Sequence, residues 1–358
     1  MVKVQRNSQG KVYVANNKAL LAKELGTKSI TTNGTYAASS DSLDGYSSVT
    51  VNVSGGSAPA GYIPRAVENG VLKVPSTSFT YSVPAGTTTI GANILQNAFA
   101  HSGLTAINLG SVTTIRDYGC QGMCELTNIT SIDLSHITSI GANGLEFAFN
   151  NCRNLTGSID LSGLTAVDME SMSHAFYHSA ITSLDMSNVT SIDSNGMYAC
   201  CISCNLSSVN FSSLENIGDM GLSSAFNNNT SLTSADLSTV KHVGAEGFSG
   251  AFSFCSNLVS VDVSGIEVIY ESSLFSAFSN TSVQSLSFNS LTSTNLDNGD
   301  FDDDPSLPDF FRDMLLGVTG CTVHFPSNLQ AVIGSWDDVV GGFGGTNTTV
   351  LFDLPATS

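Results

Sequence analysis

Residues 181 to 192 read Ile181-Thr182-Ser183-Leu184-Asp185-Met186-Ser187-Asn188-Val189-Thr190-Ser191-Ile192, and the chain writes this phrase eight times. The other copies are LTAINLGSVTTI from Leu104, ITSIDLSHITSI from Ile129, GSIDLSGLTAV from Gly157, LSSVNFSSLENI from Leu206, LTSADLSTVKHV from Leu232, LVSVDVSGIEVI from Leu258 and VQSLSFNSLTST from Val283. One column, the polar residue between two apolar ones, runs Asn108, Asp133, Asp160, Asp185, Asn210, Asp236, Asp262, Ser287. Successive members are 25 to 27 residues apart, the period of leucine-rich repeats and not of propeller blades or helical hairpins. A second column keeps step: Phe99, Met123, Phe149, Phe176, Cys200, Phe226, Phe252, Phe278. Two columns in phase mean stacked coils.

Each coil reads as strand, turn, a second short extended piece and a tail. In Ser183 to Ser187 apolar and polar residues alternate, as in a strand with one buried face. In the tail, Gly247-Phe248 and Ala251-Phe252 have the spacing of one short helical turn. No single coil can bury its apolar face alone, so the copies must stack into a solenoid whose ends need caps.

The SIDLS, VTSIG and AFxxC words resemble the BspA-like leucine-rich repeats of bacterial surface proteins, over residues 90 to 289. The resemblance implies a β-rich α/β solenoid, right-handed, with a small β N-terminal domain and a C-terminal cap. It implies a binding or adhesion surface and supplies no catalytic residue.

The expected division is residues 1–54, a small β-rich unit; 55–61, a Gly- and Ser-containing flexible joint; 62–103, an N-terminal cap with a first partial repeat; 104–289, the solenoid; and 290–358, a C-terminal cap. In the first unit, Val2 to Val14 holds two short β runs around the turn Asn7-Ser8-Gln9-Gly10, Lys18 to Leu25 fits one amphipathic helix, and Val49, Val51 and Val53 alternate with Thr50 and Asn52 as a half-buried strand. The first partial coil, TTIGANILQNAFAHSG, lacks the SIDLS strand. Beyond Asn289, Phe310, Phe311, Met314 and Leu315 have helical spacing behind Pro308, Thr322 to Phe325 reads as a strand, and Asn328 to Val340 as another short helix.

The block ITTNGTY…DGYSSVTVNV resembles a short module of bacteriophage structural proteins of the tail and host-attachment type, and the ending HFPSNLQAVIGSWDDVVGGFGGTNTTVLFDLP resembles the carboxyl end of phage-encoded repeat proteins. These likenesses imply that residues 1–54 dock on other virion proteins, that the protein resides on the virion, and that the solenoid meets a host cell-surface glycan or protein. The alternatives are a small hairpin that merely precedes the solenoid, a polysaccharide-degrading tail protein, and a cellular adhesin without its leader. A homotrimer is compatible with the repeat, although no heptad specifies one.

The chain carries 12 Lys plus Arg against 30 Asp plus Glu, a formal net charge of −18. Such a balance repels phosphate backbones and anionic lipid heads, which argues against nucleic acid or membrane as partner. No segment has the length and apolarity of a signal peptide or membrane span. The terminal Leu354-Pro355-Ala356-Thr357-Ser358 lacks the Gly, apolar tail and basic end of a sortase signal.

Stacking makes three polar ladders on the leading strands. The ligand-binding candidates are Ser131, Asp133, Ser135, Ser158, Asp160, Ser162, Ser183, Asp185, Ser187, Asp236 and Asp262. In-register strands bring like charges about 4.8 Å apart, which is unfavourable unless offset. The offset is hydrogen bonding within the ladder, the hydroxyls of a glycan or other receptor, or bridging cations. Asp300, Asp302 and Asp304 have the alternate spacing that opens a calcium loop, but Pro305 stands where that loop needs Gly and Phe311 where it needs Glu. What remains is a looser calcium site or a solvated acidic loop; no other cofactor is expected.

The eight cysteines are Cys120, Cys124, Cys152, Cys200, Cys201, Cys204, Cys255 and Cys321. They read as buried small apolar residues, with a disulfide or zinc among Cys200, Cys201 and Cys204 as the alternatives. No hydrolase, metalloprotease or phosphate-loop motif occurs. The ladder carboxylates share one environment, whereas glycoside hydrolysis needs two at different pKa values. His174 and His178 are the one histidine pair at helical spacing.

Overall fold

A computed structural model describes residues 78–83, 85–292, 309–333 and 342–357, together with the backbone of seven short strands between residues 4 and 73. It is a β-solenoid of about ten turns with little helix. Leading strands Thr156–Asp160, Ala180–Asp185 and Ser208–Asn210 pair in parallel, with Ser158 opposite Ser183 opposite Ser208. Ser234–Asp236 and Ser260–Asp262 form a second parallel pair. Each coil then contributes a two-residue strand on another side; Ala166–Val167, Ser191–Ile192, Asn216–Ile217, His242–Val243 and Val268–Ile269 make one five-stranded sheet.

The tails differ from the expected helical turn. Between Tyr118 and Glu125 the N–H groups alternate. Tyr118, Cys120, Gly122 and Cys124 donate to Ala142, Gly144, Glu146 and Ala148 of the next coil, at 2.9, 2.9, 2.7 and 2.7 Å. Gly119, Gln121, Met123 and Glu125 donate three residues back within their own coil. A left-handed residue recurs every fourth position, as at Tyr118, Gly122 and Leu126 (φ 56°, 57° and 55°). An α-helix would keep its N–H groups for itself. This ribbon of turns exports half of them and so zips coil to coil, which offsets a left-handed backbone that costs a non-glycine residue about 1 kcal/mol or more.

The core is a set of columns. Ala148-Phe149, Ala175-Phe176, Ala199-Cys200, Ala225-Phe226, Ala251-Phe252 and Ala277-Phe278 are all buried. Phenylalanine rings in adjacent coils stack: Phe149 on Phe176 at 5.3 Å, Phe226 on Phe252 at 5.3 Å and Phe252 on Phe278 at 6.0 Å between centroids. Where Cys200 interrupts this column, Phe211 turns its edge to Phe226 at 5.8 Å. Leu161, Met186, Leu237 and Val263 close the strand side.

Both ends of the stack extend further than the sequence reading placed them. The first coil does possess a leading strand, Phe79–Ser82, paired in parallel with Leu104–Asn108. Phe310, Phe311, Met314 and Leu315 belong to another tail and not to a capping helix. Only Asp309–Phe311 is a single 3-10 turn, and Leu274, Ser276, Phe278 and Asn280 donate to Phe310, Arg312, Met314 and Leu316 as one coil to the next. The strand expected at Thr322 is present as Thr322–Pro326, parallel to both Ser285–Ser287 and Thr349–Leu354. The helix expected after Asn328 is present as the short turn Ser327–Leu329 followed by Gln330–Ile333.

In the first unit, Val4–Arg6 and Lys11–Val14 form the expected antiparallel hairpin, and Lys28–Thr32 pairs in parallel with Val49–Val53. The Lys18 to Leu25 helix, the joint at residues 55–61 and the loop bearing Asp300, Asp302 and Asp304 lie outside the described residues. No helix among the described residues is long and apolar enough to cross a membrane.

Candidate functional site

The ladder residues lie on the outer side of the leading strands because side chains alternate along a strand, and Ile159, Leu184, Ala235 and Val261 take the inner side. Ser158, Asp160, Asp236 and Asp262 are exposed; Ser183, Asp185 and Ser187 are half-buried. The ladder is not one uninterrupted array. Ser131 and Asp133 are exposed but lie outside any hydrogen-bonded strand, and the sheet breaks between Asn210 and Ser234. The 26-residue step from Asn210 to Asp236 inserts one residue into the 25-residue rhythm of the preceding coils, which is enough to disturb the register.

Each ladder carboxylate has a local task. Its Oδ1 accepts from the backbone N–H two residues on: Ser135 to Asp133 at 3.0 Å, Ser162 to Asp160 at 2.9 Å, Ser187 to Asp185 at 3.0 Å, Ser238 to Asp236 at 3.0 Å and Ser264 to Asp262 at 2.9 Å. The hydroxyls of Ser135, Ser162 and Ser238 add a second bond, each 2.7 Å long. These Asx turns end the strand and reverse the chain. The serine hydroxyl, then the serine N–H, hold the carboxyls of Asp133 and Asp236 below the ordinary carboxylate range. Between coils, Ser183 donates to Ser158 at 2.7 Å and the Asn210 amide to Asp185 at 3.1 Å. Hydrogen bonding within the ladder therefore supplies the offset that stacked carboxylates require.

We expect Asp236→Ala to cost about 1 kcal/mol in urea unfolding, whereas Asp236→Asn, which keeps the acceptor that Asn210 already uses toward Ser212 at 3.2 Å, costs less than half of that. Because the carboxyl values of Asp133 and Asp236 are depressed by folding, their contribution is present at neutral pH and is lost as pH falls through the depressed values.

The eight cysteines are free and buried, and several are hydrogen-bond donors and not merely small apolar groups. Cys152 donates to the Cys124 carbonyl at 2.9 Å, Cys204 to Phe176 at 3.1 Å and Cys255 to Phe226 at 3.2 Å. The same column holds Thr127, Ser179, Asn229 and Thr281, all buried. Each offers a small polar group to a carbonyl or thiol inside the stack. Sequence reading missed this column because Ser, Thr, Cys and Asn share no hydropathy; their equal spacing was the available signal. Among the described residues no group of three or more His, Cys, Asp or Glu converges on a metal position.

Burial pushes the thiols up, to about 11 at Cys152 and Cys321 and about 12 at Cys255. A thiol that ionises only in the unfolded chain weakens folding as pH rises past its ordinary value of 9.0. Stability should accordingly fall between pH 9 and 11, and the thiols should resist a disulfide reagent until the chain unfolds. Rapid labelling of several thiols in the native protein would contradict the burial.

On the tail side the structure assembles a group that the sequence showed only in pieces. Phe147 stacks on His174 at 4.6 Å and 18°, Tyr198 meets His174 edge-on at 5.2 Å, and Tyr177 lies 5.7 Å from it. These residues come from three successive coils and are half-buried. Beside them the Asn143 amide donates to both Glu146, at 3.0 Å, and Glu170, at 2.7 Å. Burial lowers the His174 pKa, so the imidazole is neutral at physiological pH.

No curated protein matches the chain. Two crystal structures are similar at 15% identity. One is a leucine rich cell surface protein from Faecalibacterium prausnitzii A2-165 (TM-score 0.32, 78% of this chain, 60% of that one). The other is a leucine-rich repeat protein from Bacteroides ovatus ATCC 8483 (TM-score 0.33, 98% of both chains). The chain thus spans 60% of the length of the Faecalibacterium protein. The family model described as "BspA type Leucine rich repeat region (6 copies)" matches residues 72–203, 113–251 and 172–308. Those spans run through more than half of the 358 residues and coincide with the stacked coils, so the chain belongs to the BspA type leucine rich repeat family.

Proposed function

We propose that this protein is a non-catalytic recognition component of a bacteriophage particle: residues 1–54 attach it to other virion proteins, and the solenoid presents its ladder side to a host cell-surface glycan or protein. The observation that carries the reading is the form of that side. It is a rigid row of exposed hydroxyls and carboxylates repeated coil after coil, in which each turn uses one carboxylate oxygen. Among the described residues nothing bonds to the second oxygen at Asp160, Asp236 or Asp262. Repetition suits a polymeric receptor, because successive coils meet successive units. The uniform local environment of these carboxylates suits binding better than acid-base chemistry, which needs them to differ.

The test is direct. Labelled full-length protein should bind intact host cells saturably, release no reducing ends from purified wall glycan, and be found by immunogold on phage particles. Glycan turnover would favour a degrading enzyme. Display on the producing bacterium without any particle would favour a cellular adhesin. Either result removes the reading.

A further inference from the structure

The aromatic group on the tail side has no counterpart elsewhere along the stack, and this sets it apart from structural repetition. At the tail position of Phe147 and His174 the other coils carry Gly122, Ala199, Ser224, Gly250 and Ser276. A solenoid copies whatever its stacking needs, as the Ala-Phe column shows. A departure confined to adjacent coils and to the solvent side is therefore not explained by stacking.

We infer that Phe147, His174, Tyr177 and Tyr198, flanked by Glu146 and Glu170, form a binding site for a neutral pyranose chain, separate from the ladder side. It deepens the reading above, resting on it only for the host-surface source of the glycan. Half-exposed rings stepped from coil to coil along the stack offer platforms for the apolar faces of successive sugar rings. Glu146 and Glu170, both oriented by the Asn143 amide, place carboxylate acceptors beside those platforms, where sugar hydroxyls can donate. With His174 neutral, the patch offers two negative charges and no positive one from these residues, in a chain of net charge −18. That balance repels uronate and phosphate polymers and selects an uncharged chain, N-acetylated sugars included.

The experiment is calorimetric titration of the full-length protein with cellohexaose, chitohexaose, mannohexaose and, as the anionic comparison, hexagalacturonate. Saturable binding of at least one neutral hexaose and none of the anion is expected. Tyr198→Ala and His174→Ala should each weaken it about tenfold, the effect of losing one aromatic partner. Glu170→Gln, which leaves shape and stacking intact, should also weaken it. Tyr270→Ser, which removes an equally accessible tyrosine remote from the group, should change nothing. Circular dichroism melts identify any variant that fails to fold, and the Glu170→Gln result then decides. Absence of binding to every neutral hexaose, preference for the anion, or an equal loss in Tyr270→Ser overturns the inference. The two proposals fail separately. Cell binding that the hexaoses do not compete and the Tyr198 variant retains removes this site and leaves the attachment role. Hexaose binding through Tyr198 without cell binding does the reverse.

Discussion

Phe252→Ala is expected to destabilise the protein by about 3 to 5 kcal/mol, the cost of truncating a fully buried phenylalanine. Phe252 is buried and is the middle ring of a three-ring stack, with Phe226 on one side and Phe278 on the other. Removing it leaves a cavity at a coil-to-coil interface and takes a partner from two neighbours at once. In a stack whose stability sums over neighbouring coils, the lesion also uncouples what lies on either side. Urea unfolding should show a lower midpoint and a transition that broadens or splits, with the amides of the flanking tails, such as Phe226 and Phe252, exchanging early. A loss under 1 kcal/mol with an unbroken transition would show that the ring column does not hold the coils together. Phe252→Leu, which refills much of the volume, should recover more than half of the loss.

Asn229→Ala is the second large effect, expected at about 3 kcal/mol. Asn229 is fully buried, yet its side chain serves the backbone of two coils. It accepts from Leu206 N–H at 3.1 Å and donates to the Cys201 and Phe226 carbonyls, both at 2.8 Å. Alanine leaves the Leu206 N–H and the Cys201 carbonyl without these partners in the interior, and each buried unsatisfied group costs about 1 to 3 kcal/mol. The Phe226 carbonyl suffers least, since the Cys255 thiol also donates to it at 3.2 Å. Asn229→Cys supplies the thiol donor used at Cys152, Cys204 and Cys255 but no acceptor for Leu206. It should fall between the two, as measured by equilibrium urea unfolding. If alanine were tolerated within 0.5 kcal/mol, the polar column would be incidental to folding.

Much of the fold is legible in particular residues. The column from Asn108 to Asp262 announced stacked coils because a fixed period with a buried face has one economical solution. The Ala-Phe words located the inner side of each tail. Their spacing, however, was equally compatible with a helical turn. Nothing in Gly247-Phe248 and Ala251-Phe252 states whether the N–H groups bond within the coil or to the next one, because that choice depends on a neighbour 25 residues away. The same reason hid a coil in Phe310 to Leu315, where the insertion before it broke the rhythm, and a first strand in Phe79–Ser82, which carries the alternation without the SIDLS word.

The candidate site divides in the same way. The ladder was readable because its members occupy one column, but its Asx bonding required coordinates, since a carboxylate beside a serine can cap a turn or face a ligand with the same sequence. The aromatic group was unreadable as a group. Phe147, His174, Tyr177 and Tyr198 fall in three repeats and meet only when the coils are laid at their true register.

By itself the amino-acid sequence determined that the chain stacks, which residues face inward and where the carboxylates line up, because those follow from local alternation and a constant period. Only the tertiary structure decided how the tails bond, where the ends of the stack lie and which surface side chains meet, because each of these depends on hydrogen bonds and contacts between coils that no single repeat encodes.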